Sequence, residues 1–229
     1  IHFQGELEKD LSVKTIIINP MQQGELSKIP LFGVADYTWN MDSFNNMENW
    51  KASLPAVVGK KNAGDFEKIV PYLRYYDSLS PLAGMINEFK AAYGKDPKNA
   101  SVEPLKAEFA KIINSCSTIA EMKESGCVSD SLFYEDLRPW LLKVKNMSQS
   151  AIVMLDALAA SDLSKVNTIE FAKTWSAIEG VDKNSEHRFD ILRGMGSDIT
   201  LSVQTAEPAA QAMRPFLDWL LKEIENKNR

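Results

Sequence analysis

The hydrophobic pattern begins with a short β-branched run and then becomes helical. Residues 15–18 read Thr-Ile-Ile-Ile, which is typical of a strand buried on both faces in a parallel sheet or barrel. Pro20 ends this run and can open a helix, and the apolar spacing that follows predicts one over residues 22–37, with Leu26, Ile29 and Phe32 on one face. The first 40 residues therefore predict one strand and one covering helix, as at the end of a (β/α)8 barrel.

Beyond Asn40 the chain shows no convincing alternation of period two and predicts a series of amphipathic helices. The clearest apolar stripes alternate spacings of four and three, which favours helices packed at a shallow left-handed crossing. The stripes are Leu105, Phe109, Ile112, Cys116 and Ile119, and then Phe133, Leu137, Trp140, Val144, Met147, Ala151, Met154 and Leu158. Pro139 predicts a kink or a restart in the second stripe. The predicted fold class is mainly all-α, an antiparallel helical bundle preceded by the final βα unit of a (β/α)8 barrel.

Local signals predict several helix ends. Ser80 before Pro81 is typical of an N-cap followed by proline at the first helical position. Asn167 and Glu170 have the spacing of a capping box, for a helix that ends at Gly180.

The pattern also predicts a domain organisation. Residues 1–5 are interpreted as the remnant of a cleavable tag, 6–45 as the C-terminal part of a barrel, and 46–229 as a helical bundle domain. Within the bundle, residues 194–204 predict a loop and residues 206–226 a last helix.

Composition excludes some classes of function. The 229 residues include 26 basic and 31 acidic side chains, a net charge of −5, and lack the basic excess of a nucleic-acid-binding surface. No apolar run approaches the ~20 residues that span a bilayer, so a membrane partner is not predicted. Cys116 lies on an apolar stripe, which favours a buried thiol over a disulfide with Cys127.

Several short motifs in the N-terminal region occur together. They are Asn19-Pro20-Met21, Ser27-Lys28-Ile29, Ala35-Asp36-Tyr37 and Trp39-Asn40, followed by Trp50-Lys51. This set resembles the barrel exit of family-84 glycoside hydrolases, the β-N-acetylglucosaminidases that include O-GlcNAcase-like enzymes and so-called hyaluronidases. The resemblance covers residues 12–52 and implies the C-terminal part of such an enzyme, including its helical domain. The family's catalytic signature of two adjacent aspartates has no counterpart, because the sequence contains no Asp-Asp pair.

The resemblance implies removal of terminal β-linked N-acetylglucosamine by substrate-assisted, retaining hydrolysis. The substrate's acetamide would attack the anomeric carbon to form an oxazoline, while two upstream aspartates assist. An N-acetylglucosaminyl glycoconjugate is then the expected partner of the parent barrel, and a secreted or periplasmic bacterial location is implied by the resemblance only. No catalytic residue, metal ligand or cofactor is predicted in this chain, which is expected to be inactive alone.

Asn19 is the one candidate site residue. Its carboxamide both donates and accepts hydrogen bonds, which suits sugar hydroxyls, and the resemblance implies that it contacts the sugar. The competing interpretation is an asparagine that only satisfies backbone groups at a strand-to-helix turn.

Other polar and aromatic residues are interpreted structurally. His187, the only histidine beyond the first five residues, excludes a histidine cluster for zinc and is interpreted as a solvent-facing residue on a helix. Glu135 and Asp136 are assigned to a solvated helix face. Tyr37 and Trp39 predict an aromatic hinge between barrel and bundle, and the tyrosine-rich residues 72–76 predict core plus one or two surface tyrosines.

Two alternatives stay open. The helical region could be a non-catalytic interaction or dimerisation module, which forms a homo-oligomer through its helices. The whole chain could instead be an independent helical binding protein, but residues 16–18 would then need another strand to pair with.

Overall fold

A computed structural model describes residues 15–160, 168–194 and 196–227. Its helices are α1 Gly24–Trp39, α2 Asn46–Val57, α3 Ala63–Leu73, α4 Pro81–Lys95, α5 Glu103–Ala120, α6 Val128–Ala160, α7 Thr168–Glu179 and α8 Met213–Lys227. Two strands, β1 Arg188–Arg193 and β2 Thr200–Thr205, pair with each other. Short 3₁₀ turns occur at Glu121–Glu124 and Gly196–Asp198. The prediction of a mainly helical fold is confirmed.

The described chain divides into two compact units. The first contains residues 15–67 and Thr118–Leu137, and the second contains Lys68–Ser117 and residues 138–227 as far as they are described. Helices α3, α5 and α6 contribute residues to both units. The boundary predicted near residue 45 from the sequence stays a prediction.

Helix α1 forms where the first apolar stripe predicted it. Leu26, Ile29 and Tyr37 are buried, whereas Phe32, which was expected on the same face, is 37% exposed. The α1 helix packs against α2, where Asn45 caps the first turn by accepting hydrogen bonds from two backbone N–H groups. Burial of this apolar face is what holds α1 within the first unit.

Residues 15–18 do not form the predicted strand. A strand is defined by hydrogen bonds to a neighbouring strand, and among the described residues β1 and β2 pair only with each other. The apolar run therefore has the composition of a buried strand without a partner, and Ile17 is 92% exposed.

The apolar stripes predicted for α5 and α6 are buried along their length, apart from the half-buried Trp140. In the first unit, Phe66 and Phe133 meet edge to face with ring centroids 5.5 Å apart. In the second, the Phe109 and Phe216 rings are stacked at 6.3 Å. Helix α6 is one continuous helix through Pro139, so the predicted restart is wrong.

The predicted loop at residues 194–204 is wrong over its second part, residues 200–204. Thr200–Thr205 forms β2, which pairs antiparallel with β1 so that Leu192 lies opposite Leu201 and Asp190 opposite Val203. Both strands mix polar and exposed apolar side chains, which hides the period of two from sequence analysis.

The last helix starts at Met213, seven residues later than predicted. Asp77, a fully buried carboxylate, accepts hydrogen bonds from the backbone N–H groups of Gln211, Ala212 and Met213 at 2.9, 2.7 and 2.9 Å. These bonds satisfy N–H groups at the start of α8. The positive end of the helix dipole also stabilises the negative carboxylate at this position. Residues 206–212 therefore turn before the helix begins.

Other predicted helix ends are partly confirmed. The Ser80 hydroxyl accepts a hydrogen bond from the Ala83 N–H, and Pro81 opens α4, as predicted. Gly180 follows α7 with φ +77°, a conformation that favours glycine. Asn167 and the Glu170 side chain lie outside the described residues, so the capping box stays a prediction. In the described part of the chain, no helix has both the length and the apolar character of a membrane span.

Candidate functional site

Asn19 lines an apolar groove in the first unit. The groove has a volume of about 580 Å³, and its other walls come from the chain before α1 and from one face of that helix. These walls are formed by Ile16, Ile17, Ile18, Pro20, Met21, Ser27, Pro30, Leu31 and Val34. The exposed Asn19 is therefore a polar group within an otherwise largely apolar groove.

Ser27 holds the turn between Asn19 and α1. Its side chain is buried, and its hydroxyl donates to the Gln23 carbonyl at 2.8 Å and lies 3.3 Å from the Met21 carbonyl. Because both carbonyls belong to the residues that connect Asn19 to the helix, Ser27 restrains the segment that carries the candidate amide.

Asp136 caps the N-terminus of α1 from α6. Gln23, at the N-cap position, makes no side-chain capping bond. The Asp136 Oδ2 atom instead accepts hydrogen bonds from the N–H groups of Glu25 at 2.8 Å and Leu26 at 3.4 Å. The prediction that Asp136 only covers a solvated face is therefore wrong, and no local sequence signal could have identified a cap 110 residues away.

A small ionic cluster strengthens the same end of α1. The Lys28 ammonium pairs with Glu25, and the Ser129 hydroxyl donates to Glu25 Oε2 at 2.8 Å. The hydrogen bond from Lys28, followed by that from Ser129, lowers the pKa of the Glu25 carboxyl below its usual value. Because α1 is tied to α6 here, the turn that follows Asn19 has a fixed support.

The Asn19 carboxamide makes no hydrogen bond to any other described residue of the chain. An exposed amide of this kind can donate two hydrogen bonds and accept two. Ser27 bonds to carbonyls of the turn and Asp136 to N–H groups at the start of α1, so other side chains supply these backbone bonds. Whether Asn19 contacts a sugar or has only a structural role stays a prediction.

The aromatic residues at the other end of α1 have different environments. Tyr37 is buried and meets Phe44 edge to face with centroids 5.2 Å apart, which fits a structural role. Trp39 is 91% exposed, so it is not part of that packing. Asp36 accepts a hydrogen bond from the Asn49 side chain at 2.9 Å and holds α1 to α2.

His187 is buried, which corrects the prediction of a solvent-facing residue on a helix. It precedes β1 and lies between two fixed partners. The Asn146 amide lies 2.9 Å from Nε2, and the Ala177 carbonyl lies 3.1 Å from Nδ1. Because a carbonyl only accepts, Nδ1 carries the proton and Nε2 accepts from the Asn146 amide. Burial lowers the pKa of this imidazole below its usual value.

Lys143 is a second buried polar residue, which sequence analysis missed. Its ammonium donates to the Ala206 carbonyl at 2.8 Å, at the end of β2. The pKa of Lys143 is lowered to about 8, chiefly by burial and also by nearby Arg214, while Glu207 opposes the shift. Lys143 lies on α6 next to the predicted apolar stripe and not within it. A charged residue at such a position is usually exposed, so the sequence did not indicate that Lys143 is buried.

Metal binding and nucleophilic chemistry have no support among the other described residues. Among the described side chains, no group of three or more His, Cys, Asp or Glu residues could hold a metal ion. Cys116 is buried, as predicted, and burial raises the pKa of its thiol to about 12, so it is a poor nucleophile.

Two comparisons with known proteins show what the chain is similar to. The family model described as beta-N-acetylglucosaminidase matches residues 3–70, which include Asn19 and α1. The resemblance predicted from the N-terminal motifs is thereby confirmed.

A solved structure has a similar fold. It is a mutant of the O-GlcNAc hydrolase of Thermobaculum terrenum, with a TM-score of 0.61 and 16% sequence identity to this chain. The match covers 92% of this chain and 41% of the other. The chain thus corresponds to less than half the length of the protein it is similar to.

Proposed function

We propose that this chain supplies the last helix of the barrel, the segment before it and the helical domain of a β-N-acetylglucosaminidase, in which Asn19 contacts the sugar. The observation that carries the proposal is the exposed Asn19 amide, which lines a groove directly before α1 within the matched residues 3–70. The supports from Ser27 and Asp136 leave this amide available to a ligand.

The substrate proposed is a glycoconjugate with terminal β-linked N-acetylglucosamine, such as O-GlcNAc on a protein. The name of the similar structure, an O-GlcNAc hydrolase, supports this class. Asn19 could hydrogen-bond a ring hydroxyl or the acetamide through its amide group.

The reaction proposed is substrate-assisted hydrolysis with retention. The acetamide oxygen of the substrate bonds to the anomeric carbon as the glycosidic bond breaks, and an aspartate gives its proton to the leaving oxygen. Water then opens the oxazoline at the same carbon and returns a proton to that aspartate. Because this chain has no Asp-Asp pair, both assisting aspartates would come from elsewhere in the barrel.

The experiment is hydrolysis of a fluorogenic N-acetyl-β-glucosaminide by this chain and by the same sequence preceded by the remaining strands and helices of the barrel. We expect turnover only with the barrel present. Turnover by the purified chain alone, after removal of contaminating enzyme, would contradict the proposed division of roles. If the longer protein is folded but inactive, the similarity to β-N-acetylglucosaminidases extends to the fold and not to the activity.

A second function, association with another copy of the chain, is favoured by the β1–β2 hairpin. Ile199, Leu201 and Val203 are 56%, 64% and 50% exposed. The two-stranded sheet also leaves its outer edges unpaired among the described residues, and such edges template further pairing. The exposed apolar face and the open edge together suit a second hairpin.

Sedimentation velocity at several concentrations tests this second function. We expect the sedimentation coefficient to rise with concentration, and Leu201→Lys to keep the chain monomeric because a charge would be buried at the contact. Glu225→Lys, a charge change on the exposed side of α8, is the control. A monomer at all concentrations contradicts self-association.

A further inference from the structure

A cleft in the second unit combines aromatic rings with hydrogen-bonding side chains. It has a volume of about 690 Å³ and is lined by Tyr75, Trp140, Phe189, Glu179, Gln204 and Glu207, among others. We call it the lateral cleft. Its size falls in the range of small-molecule sites, roughly 300–1,000 Å³.

The lateral cleft has an aromatic wall. The rings of Trp140 and Phe189 lie 4.5 Å apart at an angle of 38°, and both are half-buried. Tyr75, 48% exposed, contributes a third ring. Partly exposed aromatic faces offer an apolar surface to a flat ligand, and Tyr75 adds a hydroxyl.

Planar polar groups lie around these rings. Glu179, Glu207 and Gln204 offer carboxylate and amide oxygens, and Arg74 adds exposed N–H donors. Many donors and acceptors within one small cleft suit a ligand with several hydroxyl groups.

The charges of the lateral cleft are nearly balanced. An adjoining pocket of about 480 Å³ shares Tyr75, Glu179 and Glu207 with it and adds Lys143 and Arg214. Arg214 lies 3.5 Å from Glu179, and Glu207 interacts electrostatically with the buried Lys143. With acids and bases paired in this way, neither an anion nor a cation gains a strong preference over a neutral ligand.

The backbone that frames the lateral cleft is constrained. Gly180 has φ +77°, and a Cβ atom there would lie 3.1 Å from the Thr205 hydroxyl. The turn after α7 therefore packs closely against the end of β2, and the Lys143–Ala206 hydrogen bond fixes the next residue. The walls are thus held before any ligand binds, which lowers the entropic cost of binding.

We propose that the lateral cleft is a binding site for a neutral saccharide ring, distinct from the groove of Asn19. The apolar C–H face of a pyranose stacks on Trp140 or Phe189, and its hydroxyls bond to Glu179, Glu207 and Gln204. A neutral ring that is apolar on one face and polar at its edge matches this combination better than an ion or a purely apolar molecule.

The test is an NMR titration of the isotope-labelled chain with methyl β-glucoside, methyl α-mannoside and methyl N-acetyl-β-glucosaminide. We expect at least one of them to shift amides of β1, β2 and the residues around Gly180, with a dissociation constant in the millimolar range, about −4 kcal/mol at 1 mM. We expect Phe189→Ala to weaken that binding at least tenfold, and Glu207→Gln to weaken it measurably without disturbing the fold.

Trp39→Ala is the matched control, because it removes an exposed aromatic ring outside the lateral cleft. It should leave the dissociation constant unchanged. The proposal is overturned if none of the three glycosides binds up to about 50 mM, if phosphate or citrate binds in their place, or if folded Phe189→Ala and Glu207→Gln both bind normally. Loss of binding in Asn19→Ala would assign the sugar to the other groove. Since the readout is binding and not turnover, this result is independent of the hydrolysis assay.

Discussion

At the scale of single residues, the interior of the second unit contains two ionisable groups whose charged forms are disfavoured by burial. His187 is held between Asn146 and the Ala177 carbonyl, and Lys143 donates to the Ala206 carbonyl. Both pKa values are lowered, chiefly by burial. Each group joins α6 to residues far along the chain, so its role is to position the hairpin and the turn after α7.

Because the pKa of His187 is lowered in the folded chain, we expect the chain to lose stability in mild acid. Below a pH of about 6.5 the imidazole of the unfolded chain takes up a proton that the folded chain resists, so the free energy of unfolding falls as pH decreases. We expect the wild-type chain to lose roughly 1 kcal/mol more than His187→Gln between pH 7.5 and 5.5, measured by urea unfolding.

The composition of the chain helps to assign the difference in pH dependence between wild type and His187→Gln to His187 itself. The only other histidine is His2, so few groups other than His187 titrate in this window. Asn184→Ala, at an exposed turn, serves as the control and should follow the wild type. Equal pH dependence in wild type and His187→Gln would show that His187 does not resist protonation.

At the scale of elements, distant carboxylates determine where two helices begin. Asp136 caps α1, and Asp77 caps α8 with three hydrogen bonds. Sequence analysis identified the local cap at Ser80 because its signal lies within four residues. It could not identify Asp77 or Asp136, because each is brought to its helix end only by tertiary packing.

Asp77→Ala is expected to destabilise the second unit by about 2–3 kcal/mol, since three N–H groups would lose their acceptor in a buried position. The measurement is urea unfolding followed by circular dichroism. Asp77→Asn keeps one acceptor oxygen and should fall between the alanine variant and the wild type. If Asp77→Ala unfolds at the wild-type urea concentration, the cap contributes nothing.

Sequence analysis predicted a strand at residues 15–18 that does not form, and it missed the two strands of the β1–β2 hairpin. Residues 15–18 have a strand composition but lack a partner strand among the described residues, whereas Arg188–Arg193 and Thr200–Thr205 pair despite a weak alternation. Whether a segment forms a strand depends on a neighbouring strand to pair with, and the composition of the segment itself does not show whether that neighbour exists. The long stripes of α5 and α6 were predictable because burial repeats over many turns of one helix.

At the scale of the whole molecule, the family model and the similar fold cover different shares of the chain. The family model covers residues 3–70, while the fold match at 16% identity extends over 92% of the chain. The candidate site could be predicted as far as Asn19, because its motif is short and local. The lateral cleft could not, since its aromatic and acidic residues come from five separated parts of the sequence.

The most direct measurement of the proposed function is kcat/KM of Asn19→Ala for a fluorogenic N-acetyl-β-glucosaminide, in the protein that includes the barrel. We expect a loss of about 10- to 100-fold, because a hydrogen bond to the sugar is removed from the transition state. Asn184→Ala, the matched exposed asparagine, should keep wild-type activity. If folded Asn19→Ala also keeps wild-type kcat/KM, Asn19 does not contact the sugar and the proposed site is wrong.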